Sequence, residues 1–219
     1  MDSGRRRILI MTAVSEEREA VLRGINGKQN IDVILTGVGP VKAAASTARI
    51  LAKKDYDLVV SAGIAGGFKE MAEIGSLVVA NKIVSADLGA EGPEGFLSLD
   101  QLGFGASTTV PCEMEQVDQL SQVLTAAGLS VHIGPIVTVS TVTGSDLTAK
   151  EMVERVPGAV AEAMEGYGVA VAAKEYGLPV MEVRAISNLV GPRDRSAWRI
   201  KEALTALEVA SQVLAEVFS

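Results

Sequence analysis

The stretch AVAEAMEGYGVAVAAKEYGLPVMEVRAISNLVGPRDRSAW, Ala159 to Trp198, decides how this chain is built. A short Ala/Val run opens it and sets Glu162 and Glu165 three residues apart. The alanine-rich segment Met164 to Glu175 reads as a helix. Leu178-Pro179 then turns the chain into a second apolar run, Val180 to Ile186, of strand length. That run ends in Ser187-Asn188, followed by a loop with Arg193, Asp194 and Arg195. Carboxylates and an amide thus stand at both ends of a β-α-β unit, a sensible place for a small-molecule site.

Upstream, Ile8 to Thr12 reads as a central strand delivering Ala13, Val14, Ser15, Glu16 and Glu17 to its carboxyl end. Ser15 suits the cap of the next helix, and Glu16, Glu17 and Glu19 suit its first turn. Alternatively, one of these acids faces a cleft, as strand-to-helix corners of open α/β sheets do. A second strand, Ile31 to Leu35, ends in Thr36-Gly37-Val38-Gly39-Pro40 before a helix over Val41 to Lys53. Lys42 stands where a dinucleotide fingerprint needs its third glycine, and no acid closes the next strand, so the plain reading is a tight turn. Leu58 to Ser61 reads as a third strand with a second Gly-rich corner, Gly63 to Phe68.

Ile74 to Ala86 reads as a strand pair or one bent strand, entered at Gly75. Asp87 to Gly105 reads as irregular, either a lid or an oligomer contact. Thr108 to Val110 suggests a brief strand, and Glu113 to Ala126 a surface helix striped by Val117, Leu120 and Leu124. Val131 to Val139 is a strand, and Thr138 to Asp146 carries hydroxyls that either bind a polar ligand or cap a helix over Leu147 to Arg155. Trp198 to Phe218 repeats apolar residues at helical spacing. The order implies an α/β chain with a mostly parallel central sheet, flanking helices and antiparallel additions, expected as one domain over residues 1–219.

A formal charge of −7 argues against a nucleic-acid surface. No 18-residue charge-free apolar run exists, so no membrane partner is expected. Residues 2–7 are basic but lead straight into a strand without an apolar leader core. Cys112 is the only cysteine and His132 the only histidine. An internal disulfide is excluded, no histidine-based metal cluster can form, and no Ser-His-Asp triad is evident. A cytoplasmic protein needing no cofactor is the simplest expectation. Glu17, Glu162 and Glu165, without a cysteine nucleophile or histidine base, suit two tasks. A carboxylate accepts hydrogen bonds from sugar hydroxyls, or takes a proton from water. Asn188 offers a donor and an acceptor to a flat heterocycle. The set favours a sugar- or nucleoside-handling site.

Nearly the whole chain resembles the nucleoside phosphorylase and hydrolase superfamily, in its nucleosidase branch, which holds the methylthioadenosine/S-adenosylhomocysteine nucleosidases and, most specifically similar, the futalosine hydrolases. Ala13-Val14-Ser15-Glu16-Glu17 resembles the family's early acidic motif, which implies that Glu17 activates water. Thr36-Gly37-Val38-Gly39 and Ala62 to Gly67 resemble its Gly-rich corners, which implies that Ile64, Ala65 and Gly66 line ribose and base. Thr141-Val142-Thr143-Gly144 matches a strand end over the purine, with Thr141 in place of the usual aromatic. Glu162-Ala163-Met164-Glu165 matches the motif whose last Glu grips ribose hydroxyls and whose Met packs under the sugar. The resemblance leaves Glu162 to position water or to support the site from behind.

Arg184-Ala185-Ile186-Ser187-Asn188 matches a motif that usually ends in Asp. An Asp suits adenine, donating to N7 and accepting from the exocyclic amine. Asn188 supplies N–H where a 6-oxopurine offers only acceptors. The segment Asp57 to Gly67 holds no Arg or Lys for phosphate, which favours water as nucleophile. Gly191 to Arg195 with Trp198 resembles the futalosine hydrolases in particular, with Arg193 or Arg195 expected to pair with a substrate carboxylate and Trp198 to pack nearby; the plain reading is a solvent-facing loop with Asp194 as a cap. The resemblance implies hydrolysis of the N-glycosidic bond of futalosine, with a homo-oligomer, a dimer or an assembly of dimers, sharing its sites. Alternatives are a methylthioadenosine/S-adenosylhomocysteine nucleosidase, an inosine-type phosphorylase, or a non-catalytic nucleoside-binding protein.

Overall fold

Ile8 to Met11 are each at most 1% exposed, so the first strand has no solvent face and must lie between two others. It does. In this computed structural model, which describes residues 6–104 and 107–219, β1 (Ile8–Thr12) runs parallel to both β2 (Ile31–Leu35) and β3 (Leu58–Gly67). Between them lie α1 (Ser15–Ile25) and α2 (Pro40–Leu51). The chain continues through β4 (Leu77–Ser85), β5 (Gly89–Gly92), β6 (Gly95–Ser98), β7 (Thr109–Pro111), α3 (Met114–Ala126) and β8 (Val131–Thr138). It ends with α4 (Asp146–Arg155), β9 (Ala161–Ala163), α5 (Gly166–Glu175), β10 (Val180–Leu189), a 3-10 turn at Arg195–Ala197 and α6 (Ile200–Phe218).

Among the described residues, eight strands form the main sheet. β10 pairs parallel with β3 and antiparallel with β4, while β9 joins β8 to β3. With the parallel β4–β8 ladder, the strands β3, β10, β4, β8 and β9 close a ring. β1 and β2 extend from it as a parallel wing. The expected α/β class, flanking helices and mostly parallel sheet are all present, and the closure is an addition that no local pattern announces. β10 carries one extra residue against β3, because Ile186 faces Ala65 while Asn188 faces Gly66.

Several local expectations need correction. Ser15 is the first helical residue rather than the cap; Val14 holds the cap position, and its N–H is accepted by Glu17. Gly63 to Gly67 is not a corner, because all of it lies inside β3, paired to β10 on one side and partly to β9 on the other. Absent side chains suit close neighbours there as well as a turn: a Cβ on Gly67 would meet the Ala72 carbonyl and Ile186. The described part of the segment read as irregular, Asp87 to Phe104, contains the β5–β6 hairpin. Gly105 lies outside the described residues, as do Met1 to Arg5. The helix read from Met164 begins at Gly166. Ser145 caps α4, accepting from Thr148 N–H at 3.1 Å, as one reading of that turn required. Among the described residues no helix is long and apolar enough to cross a membrane.

Candidate active site

Because β1, β3 and β10 are parallel, their carboxyl ends open on one side of the sheet. Crevices outside such ends are where open α/β sheets collect ligand groups. The amino ends of α1 and α5 carry two of the expected acids to this place. Glu17 sits in the first turn of α1, and Glu165 precedes α5. Backbone N–H groups at helix starts favour carboxylates. Glu165 makes no cap bond to α5 itself; the tight turn before α2 holds it instead, as Gly39 N–H donates to Glu165 Oε1 at 3.2 Å. Gly39 has φ of +97°, a conformation that suits glycine.

Glu17 is 3% exposed. Its Oε2 accepts from Ala13 N–H at 2.9 Å and Val14 N–H at 3.2 Å, and its Oε1 from Ile64 N–H at 2.9 Å. A carboxylate has about four acceptor positions, so these donors leave one, on Oε1. Burial raises the Glu17 pKa, against the lowering effects of Arg184 and of the Ile64 N–H, and the Glu165 charge raises it further. A buried, anchored carboxylate with raised proton affinity is suited to general base chemistry.

Arg184 is the largest fully buried side chain. Its Nε donates to Glu182 Oε1 at 2.8 Å, its Nη2 donates to Ser61 Oγ at 3.1 Å, and Nη2 lies 3.5 Å from Glu165 Oε2. Gly63 allows the guanidinium and Glu17 to close on one spot. A Cβ there would stand 2.5 Å from Glu17 Oε1 and 2.6 Å from Arg184 Nη1. The site therefore gathers Glu17, Glu165 and Ile64, as expected, around a cation that pattern reading did not assign. A signal for it exists in the sequence: Glu182 and Arg184 sit two apart in an apolar strand, hence on one face of it.

The other expected residues fall into four places. Glu162 is buried, and accepts from Thr143 N–H at 2.9 Å and from its hydroxyl at 2.5 Å. Burial raises its pKa, and the two Thr143 contacts oppose this. It faces Gly66 across the β3–β9 pair and ties down the turn bearing the exposed Thr141 and Val142. Ala65 and Ala163 are buried, and Met164, next to Ala163 in sequence, is half-buried. Asn188 is half-buried; its amide donates to Leu189 O at 2.9 Å, and its Oδ1 accepts from Ser187 Oγ at 2.9 Å. Asn188 and Trp198 line one cavity of about 510 Å³, with Phe68, Ile74 and Val190. The cations on that wall are Lys69 and Lys150. Arg193 and Arg195 are exposed instead, 5.5 and 5.6 Å from the Trp198 ring centre, and Asp194 caps the 3-10 turn through Ser196 N–H at 3.0 Å. Among the described residues no group of three or more His, Cys, Asp or Glu side chains is arranged to hold a metal. His132 pairs with Glu73 at 2.7 Å, away from these residues on β8.

The model of the Phosphorylase superfamily matches residues 10–219, and the chain belongs to that superfamily. Within it, the chain is 48% identical to the futalosine hydrolase of Streptomyces coelicolor, over 96% of this chain and 95% of that one. It is 47% identical to the futalosine hydrolase of Acidothermus cellulolyticus, over 94% of this chain and 89% of the other. The native structure of futalosine hydrolase from Helicobacter pylori strain 26695 has a TM-score of 0.83 and covers 96% of this chain and 97% of its own. Its 18% identity makes that likeness one of fold.

Proposed function

We propose that this chain hydrolyses the N-glycosidic bond of futalosine, releasing hypoxanthine and dehypoxanthine futalosine, a step of menaquinone biosynthesis. Near-full-length likeness to two futalosine hydrolases supports the substrate. The observation that carries the chemistry is the Glu17 carboxylate, buried, held by three N–H donors and left with one acceptor site. Water meets that site, gives its proton to Glu17 and bonds through oxygen to C1′. The C1′–N bond breaks, and its electron pair leaves with the purine, which takes a proton from solvent because an amide does not release its own. Glu165 holds the ribose 2′ and 3′ hydroxyls as positive charge builds on the sugar. Asn188 turns its N–H from Leu189 O to the acceptors of the 6-oxopurine edge. Met164 packs under the sugar, and Ile64, Ala65, Gly66, Thr141 and Val142 line sugar and base.

A second copy of this chain completes the assembly. The carboxyl ends of β1 and β2 leave Val14, Leu35, Val38 and Val41 exposed beside the site, Val41 by 81%. Base release from futalosine, inosine and methylthioadenosine, each with and without phosphate, tests the reading. Hypoxanthine from futalosine without phosphate is expected. Adenine release as the main activity would falsify the role of Asn188, and a phosphate requirement would replace water as the nucleophile.

A further inference from the structure

Glu182 presents an oddity of charge. It is fully buried, and burial raises its pKa against the pull of Arg184. Its Oε1 pairs with Arg184 Nε, yet among the described residues its Oε2 has no hydrogen-bond partner, and it packs on Gly166, where a Cβ would collide with the carboxyl group. A role in packing alone is better served by an apolar or amide side chain, which avoids burying a charge. What Glu182 adds that those cannot is negative charge on the far side of the guanidinium. Three carboxylates face this one cation from three elements: Glu182 on β10 itself, Glu165 before α5 and Glu17 on α1. The other titratable neighbour, Cys112 after β7, has its thiol pushed up to about 12 by burial and by the Glu182 charge, so it stays neutral and exchanges no proton.

We propose that Glu182 is a positioning residue that anchors Arg184 by its Nε and takes up part of its charge, so that Glu17 remains a strong enough base for water. The inference rests on Glu17 acting as that base. With Glu182 ionised, its negative charge offsets part of the positive potential that the guanidinium sets up at Glu17. Without it, Glu17 meets the full positive potential of the guanidinium and holds its proton less tightly. A weaker base takes a proton from water less readily.

The test is the pH dependence of futalosine hydrolysis by the full chain and by Glu182→Gln, which keeps the shape and an acceptor for Nε but removes the charge. The acid limb of kcat/KM should move down by about one pH unit, and kcat on the plateau should fall about tenfold while KM changes little. An unmoved limb, or a rise in KM alone, overturns the proposal. Should Glu182→Gln fail to fold, Glu182→Asp keeps the charge but draws it back from Nε; a fall in kcat at constant KM supports the anchoring role, and wild-type kcat refutes it. Failure of the underlying reading looks different. Wild-type protein that leaves futalosine intact, or Glu17→Gln with full turnover, removes the hydrolytic mechanism itself.

Discussion

Glu17 must be ionised to accept a proton, and burial resists that ionisation. Its pKa in the folded chain lies above the ordinary 4.5, chiefly through lost solvation. Activity should therefore rise with pH through a limb above the usual carboxylate range. The stability contributed by the same group moves the other way. Below 4.5 both folded and unfolded chains hold the proton; as pH climbs through the raised folded value, the unfolded state gains by releasing it first and stability is lost. Glu17→Gln should bind futalosine while losing about 10²- to 10⁴-fold in turnover. Melting curves should show the wild type losing stability relative to this variant as pH rises through the activity limb. A variant with full turnover, or a constant difference in melting temperature, would count against a buried base. Glu17 is legible in the sequence because a strand end followed by acids is a local pattern. Arg184 is legible only as one of a strand-face pair with Glu182, since its other partners Glu17 and Ser61 lie more than a hundred residues away.

At the scale of elements, the site depends on how closely α2 and α5 approach. Gly168 on α5 lies against the Pro40 carbonyl, and a Cβ there would also stand 3.0 Å from Ala44 N. Pro40 opens α2 directly after Gly39, whose N–H holds Glu165. In Gly168→Ala, helix propensity gains about 1 kcal/mol, whereas forcing backbone apart costs roughly 1–3 kcal/mol. Strain should win, because backbone cannot rotate away as a side-chain tip can. A lower melting temperature with a raised KM for futalosine is expected; an unchanged KM would show that the Gly39–Glu165 contact does not matter for sugar binding. Glycine marks such approaches in the sequence without saying what approaches. Thr36 to Pro40 reads correctly as a turn, since Gly37 and Gly39 both take positive φ. Gly63 to Gly67 has the same composition but is strand, because pairing with β9 and β10 is set by residues far along the chain.

At the scale of the molecule, class and order of elements are read from periodicity, whereas the ring β3–β10–β4–β8–β9 depends on β10 having two partners at once. Fully buried runs show that a strand is flanked but not by which neighbours. Association is the expectation that belongs here. Val14, Leu35, Val38 and Val41 are exposed apolar side chains at the ends of β1 and β2 and the start of α2, and exposed apolar surface of that kind marks interfaces. Val41→Asp should shift sedimentation from an oligomer to a monomer and lower activity by about tenfold or more, as a buried unpaired charge costs several kcal/mol. A wild-type chain that sediments as an active monomer would exclude shared sites.

The extra residue in β10 has one more consequence. Up to Ile186 the strand keeps step with β3, and beyond it Asn188 is displaced by one position. Removing that surplus residue would turn Asn188 to the opposite side of the pleat while Glu182 and Arg184 stayed in place. On the roles proposed for Asn188 and Glu182, choice of leaving group and handling of the nucleophile are then separable along a single strand. A descendant of this chain has a short route to a new nucleobase that leaves its hydrolytic half intact.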